Sequence, residues 1–90
     1  MKYLDAIQIL RDSDCILVDG AAVSTNNLRV YLDSNMPMVS LHWREDECFF
    51  EVEFFKEDNE DVSVAGTSMW LVDSQGLTCL VTPTFRKDLL

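Results

Sequence analysis

Residues 38–55 carry two runs in which the larger apolar side chains fall on every second position, with an acidic turn between them. Before the turn these positions are Val39, Leu41 and Trp43; after it they are Cys48, Phe50 and Val52. Successive side chains of a strand point to opposite faces, so the pattern specifies a hairpin with one buried face. A turn at Glu45-Asp46 pairs Arg44 with Glu47, and then sets Trp43 opposite Cys48, Leu41 opposite Phe50 and Val39 opposite Val52. On the other face His42 meets Phe49, Ser40 meets Glu51 and Met38 meets Glu53. A slip of one residue would carry Glu51 and Glu53 into the core, so the choice of face is strongly specified.

The rest of the chain is organised around this hairpin. Residues 2–12 show helical spacing, with Tyr3, Leu4, Ala6, Ile7 and Leu10 on one stripe and Ile9 at its margin. A helix this short is marginal alone and must pack on something. Cys15-Ile16-Leu17-Val18 is a continuous apolar run, read as a strand over 15–19 buried on both faces and closed by Asp19-Gly20. Residues 21–27 are small and polar, and read as a loop. Leu28, Val30 and Leu32 alternate along a strand over 28–33, Ser34-Asn35-Met36-Pro37 turns the chain, and the hairpin strands span 38–44 and 47–56. A short edge strand is expected over 62–65. A second hairpin joins 69–73 to 77–82 around Asp73-Ser74-Gln75-Gly76, both of its strands apolar on successive residues and so read as central. Pro83 is expected to stop the pairing, leaving a tail over 83–90 that docks through Phe85. The expected fold is a single α+β domain over 1–90, an N-terminal helix packed on a curled, mostly antiparallel sheet of five or six strands. Its expected core includes Val39, Leu41, Phe50, Val52, Trp70 and Leu71.

Charge is the second constraint. Between Glu45 and Asp61 stand nine acids (Glu45, Asp46, Glu47, Glu51, Glu53, Glu57, Asp58, Glu60, Asp61) and one base, Lys56. That segment carries eight of the nine net negative charges of the 90-residue chain. A focused field of this sign attracts cationic partners and raises encounter rates, and it repels nucleic acid and anionic lipid. The 48% apolar content is enough for a core. No stretch approaches the roughly 20 apolar residues that span a membrane. The first residues lack the apolar region and cleavage site of a secretory leader, so none is expected. Cys15, Cys48 and Cys79 are far apart, odd in number and set in apolar runs, which reads as three buried thiols in a reducing cytoplasm.

Chemistry is sparsely represented. His42 is the only histidine, expected on the outward face beside Phe49, where it could act as a base or ligand. Glu51 and Glu53 lie on one strand face roughly 6.8 Å apart by strand rise, a spacing compatible with paired acid and base work. Ser24 and Thr25 have no base beside them in sequence. The loop 57–61 lacks the glycine and distal glutamate of an EF-hand, and three glycines make no phosphate cradle. No catalytic residue, metal site or cofactor is therefore assigned.

The outward face of the second hairpin strand reads Phe49, Glu51, Glu53, Phe55: two acids bracketed by two aromatics, with Tyr31 on the outward parity of the preceding strand. Such a face needs a cover, be it the helix, a subunit or a partner, since exposed phenylalanine costs about 1.5–3 kcal/mol relative to burial. The expectation is a small acidic, non-enzymatic binding module whose aromatics anchor and whose carboxylates select a basic protein, such as a nuclease or other nucleic-acid-binding protein. In size and charge alone the chain resembles inhibitors and nucleic-acid mimics of the immunity, anti-restriction or anti-CRISPR type. The alternatives are a homo-oligomeric structural module, a homodimer in its simplest form, and a small-ligand or enzymatic domain using His42 with Glu51 and Glu53.

Overall fold

The computed structural model describes residues 1–86. Helix α1 (Tyr3–Asp12) buries Tyr3, Ala6, Ile7 and Leu10. Leu4, expected on this stripe, lies off it and is half exposed. Ser13 ends the helix: its Oγ donates to the Leu10 carbonyl at 2.6 Å, satisfying a group that the last turn would leave unpaired.

Eight strands follow, β1 (Cys15–Val18), β2 (Ala21–Ser24), β3 (Leu28–Tyr31), β4 (Met38–Glu45), β5 (Cys48–Phe55), β6 (Ser63–Ala65), β7 (Ser68–Val72) and β8 (Thr78–Thr84). They form a five-stranded sheet in the order β2-β1-β8-β7-β6 and a three-stranded sheet in the order β3-β4-β5, antiparallel throughout. The α+β class stands, with the helix packed on antiparallel sheets, but five or six strands in one sheet become eight in two.

Two differences have local causes. Residues 21–24, expected as loop, are β2. Asp19 and Gly20 both take positive φ (48° and 91°), the requirement of a two-residue hairpin turn whose twist suits the flanking strands. Val18 accordingly faces Ala21. Pro83, expected to stop pairing, sits buried inside β8 opposite Ile16. The Leu80 N–H points towards β1, where it donates to Asp19 Oδ1 at 2.8 Å, so the nitrogen of Pro83 points the opposite way. On that side the ladder to β7 closes at Met69 opposite Val81, and the missing N–H leaves no rung unmade. The expected tail therefore begins after Thr84, and 87–90 lie outside the described residues.

The core lies between α1 and the inner faces of both sheets, with Ile7, Leu10, Ile16, Leu41, Phe54 and Leu71 essentially without solvent contact. Tyr3 donates its hydroxyl to the Phe54 carbonyl at 2.7 Å, and burial pushes this phenol up to about 12. Asn59, buried after a 3₁₀ turn (Lys56–Asp58), binds the two sheets together. Its Nδ2 donates to the carbonyls of Phe55 and Val72 at 2.9 Å each, and its Oδ1 accepts from the Val72 N–H at 2.7 Å. The Ser74 N–H adds a bond to the Glu53 carbonyl at 2.9 Å. A short asparagine thus takes the place of a ladder rung between β5 and β7.

Two expected core residues are not in it. Trp70 is 42% exposed, because its neighbours Met69 and Leu71 point inward and strand alternation sends it to the uncovered outer face. Phe50 is 39% exposed although it shares the inward parity of Val52 and Phe54, since the hairpin runs on past the core. Val52 itself is half-buried against the core.

Candidate protein-binding face

Strands β4 and β5 pair with Leu41 opposite Val52, His42 opposite Glu51, Trp43 opposite Phe50 and Glu45 opposite Cys48. The turn is Asp46-Glu47, one residue later than expected, with Asp46 at φ 57°, a conformation that aspartate tolerates better than most side chains. The expected register of Leu41 with Phe50 and His42 with Phe49 is therefore displaced by two residues on β5. A two-residue displacement preserves parity, so every side chain keeps its expected face.

The outer face of this sheet is built in cross-strand rows. Tyr31, Met38 and Phe55 form one; Arg29, Ser40 and Glu53 the next; then come His42 with Glu51, and Arg44 with Phe49 near the tip. The His42 and Phe49 rings lie diagonally stacked, 6.0 Å apart and 12° from parallel. On the inner side of the tip Trp43 and Phe50 stack at 5.6 Å and 15°. The Trp43 indole N–H is buried and has no partner among the described residues. A stacked ring pair thus lies on each side of the hairpin towards its tip.

Of the proposed anchors, Phe49 is 65% exposed, and Tyr31 beside the root is 49% exposed. Phe55 is different: half-buried, it lines a shallow hollow with Met36, Pro37 and Lys56 and packs against its own chain. The helix covers none of Phe49, because α1 lies on the inner side, where Tyr3 reaches the backbone at Phe54.

All nine acids of the charged segment are exposed except Glu53, which is half-buried. They do not form one patch. Glu45, Asp46 and Glu47 occupy the tip, Glu51 and Glu53 the strand, and Glu57, Asp58, Glu60 and Asp61 the root. Eight residues of strand separate tip from root by roughly 23 Å, so the charge is a stripe along β5. Among the described residues, one ion pair touches it, the Met1 nitrogen 3.5 Å from Asp61. The outer face also holds Arg29 and Arg44, which the acidic stripe passes without pairing within 4.0 Å.

Two of the chemically suggestive hydroxyls make local contacts. Ser24 Oγ accepts from the Asn26 N–H, and Thr25 Oγ1 lies 3.2 Å from Ser13 Oγ. Cys79 is buried, and desolvation first, then Asp19 and Asp73, pushes its thiol up to about 11, which keeps it protonated and unreactive. The expectation of three buried thiols fails for Cys48, exposed at the tip, and for half-buried Cys15. His42 does share a face with Glu51 and Glu53, on an open sheet rather than in a cleft. Among the described residues no three His, Cys, Asp or Glu side chains converge as a metal site, and no helix is long and apolar enough to cross a membrane.

One feature had no sequence signal. An apolar groove of about 360 Å³ opens between α1 and the β6–β7–β8 end of the larger sheet, lined by Met1, Ile9, Val64, Met69, Pro83 and Phe85. Its walls come from four separated segments, so no local pattern announces it. Comparison with protein-family models, with curated proteins and with solved structures finds no match for this chain.

Proposed function

We propose that this chain is a non-enzymatic protein-binding module that presents the outer face and tip of the β4–β5 hairpin to a basic surface on another protein. The observation that carries this reading is Phe49, two-thirds exposed between Glu47 and Glu51, with no cation paired to either acid among the described residues. An uncovered aromatic flanked by unneutralised carboxylates has the composition of an interface centre and its selective rim. The partner class is a protein with a cationic groove, such as a nuclease or other nucleic-acid-binding protein, which the chain would inhibit by occupying the site of a phosphate backbone. Binding residues are Phe49, Glu51 and Glu53, with Glu45, Asp46 and Glu47 at the tip. Glu57, Asp58, Glu60 and Asp61 extend the field, and Phe55 supports the root without protruding.

The test is kinetic. A partner recovered by affinity capture is measured against the parent and against the double variant Glu51→Lys, Glu53→Lys. Association slowed by tenfold or more at low salt, with folding unchanged, is expected for electrostatic steering. Equal rates would place the interface elsewhere. Self-association is the second reading, favoured by β6, an edge strand whose three residues are all exposed beside Trp70. Sedimentation of the free chain decides it.

A further inference from the structure

The binding mode of that hairpin can be taken one step further, on the same reading of its charge. Strand β5 is the last strand of its sheet, and its backbone is open on the side away from β4. Parity follows from three hydrogen bonds. The Lys56 N–H donates to the Pro37 carbonyl at 2.9 Å, continuing the ladder, so even-numbered residues of β5 face β4. The carbonyls of Glu53 and Phe55 accept from Ser74 and Asn59, so odd-numbered residues face outward. The root half of the edge is therefore occupied. Towards the tip, Phe49 and Glu51 direct their N–H and C=O groups outward, with no backbone partner on that side among the described residues.

We propose that residues 48–52 of β5 receive an extended segment of the basic partner as an additional strand, whose side chains alternate between basic and apolar. The alternation follows from the two faces of this edge. On the outer face an added strand lies beside Phe49 and Glu51, with Glu47 of the turn at one end and Glu53 at the other; on the inner face it lies beside Cys48, Phe50 and Val52. Basic side chains on one parity meet carboxylates, and apolar side chains on the other cover Phe50, which is 39% exposed because the core stops short of it. Main-chain bonds supply affinity in such strand addition, and the alternate side chains supply selection.

A second copy of this chain is the wrong occupant on charge. A two-fold axis through Phe49 sets Glu47 against Glu51, one through Phe50 sets Glu47 against Glu53, and one through Glu51 sets the two Glu51 side chains face to face. Like charges directly opposite one another in a sheet are destabilising. A cationic strand removes that repulsion.

The experiment uses the full chain, isotope-labelled, with amide hydrogen exchange read by NMR. The probe is a capped heptapeptide of alternating lysine and valine, with two controls: the same peptide N-methylated throughout its backbone, and one with glutamate in place of lysine. Exchange at Phe49 and Glu51 is expected to slow by about tenfold when roughly nine-tenths of the protein is bound, since only the free fraction then exchanges. Neither control should slow it. If the lysine peptide shifts hairpin resonances while these two amides stay unprotected, or if it does not bind at millimolar concentration, the edge mode is wrong. Equal protection by the glutamate peptide would instead overturn the charge reading beneath it. Protection that rises with protein concentration alone would make a second copy the occupant and overturn the choice of a basic strand.

Discussion

The root and the tip of the β4–β5 hairpin have the same alternating sequence and opposite surroundings. At the root Val39, Leu41 and Phe54 have no solvent contact, covered by α1 and the inner face of the larger sheet. At the tip Trp43 and Phe50 hold the same parity, yet Phe50 is well exposed and only the stacked indole shares its burial. The root is also tied laterally through Asn59 and Ser74, whereas the edge of β5 nearer the tip has no such neighbour among the described residues. Alternation therefore selects which face is apolar, and tertiary cover selects how much of that face is core. The portion left over, with acids on both sides of it, is the surface proposed to meet a partner.

That contrast is broken most severely at the root. Leu41→Ala removes a fully buried side chain and should cost about 2–5 kcal/mol, whereas Phe49→Ala on the outer face should change stability by less than about 0.5 kcal/mol. Denaturant unfolding of the two variants measures both, and similar losses would mean that the tip is also part of the core.

Alkali probes the same root through titration. Tyr3 is raised from 10.0 to about 12 in the folded protein by desolvation. Below pH 10 the phenol is protonated in both states and contributes no pH dependence. Between about pH 10 and 12 the unfolded chain releases this proton while the folded chain holds it, so stability falls as pH rises, by about 2–3 kcal/mol in total. Cys79, raised from 9.0 to about 11, adds a loss of the same sign starting near pH 9. Tyr3→Phe should be less stable than the parent at pH 8, by about 1–3 kcal/mol for the carbonyl of Phe54 left unpaired. It should also show a flatter decline above pH 10. Parallel curves for parent and variant would show that Tyr3 does not carry the alkaline loss.

Phe50→Ala tests the tip by itself. The ring is half in water and stacked on Trp43, so its removal should cost about 1 kcal/mol, the scale of one aromatic pair. A loss as large as that of Leu41→Ala would show that the tip is packed against something other than Trp43.

Legibility of this molecule follows the range of the interaction that decides each feature. Helix α1 and both faces of the β4–β5 hairpin are readable because spacing within one segment decides them. The pairing of Leu41 with Val52 rather than Phe50 is not, since a two-residue displacement leaves the alternation unchanged and differs only in where the turn falls, here with Asp46 at positive φ. Strand β2 escapes notice because Ala21 to Ser24 has small side chains and one buried valine, although Asp19-Gly20 was a hairpin signal. Division into two sheets depends on contacts between distant segments, and so does the exposure of Trp70 and Phe50. The site divides in the same way. Charge is visible in the composition of 45–61, whereas the difference between exposed Phe49 and half-buried Phe55 arises from Met36 and Pro37, which fold back over the root.

Salt gives the smallest effect on stability and the sharpest comparison between free and bound states. The free protein holds nine acids in seventeen residues with one ion pair among the described residues, so mutual repulsion along β5 opposes folding. Raising ionic strength from 0.01 M to 0.15 M shortens the screening length from about 30 Å to about 8 Å, below the roughly 23 Å separating tip from root. The melting temperature should then rise by a few degrees, as a gain below about 1 kcal/mol implies for a domain of this size. Affinity for a basic partner should move the opposite way, because its cations relieve the same repulsion and salt weakens that attraction. Calorimetry and equilibrium binding over one salt series read both slopes. If stability rises while affinity stays flat, the apolar surface of Phe49 and Phe50 carries recognition, the mimic reading falls, and the edge of β5 remains as an uncharged docking strand.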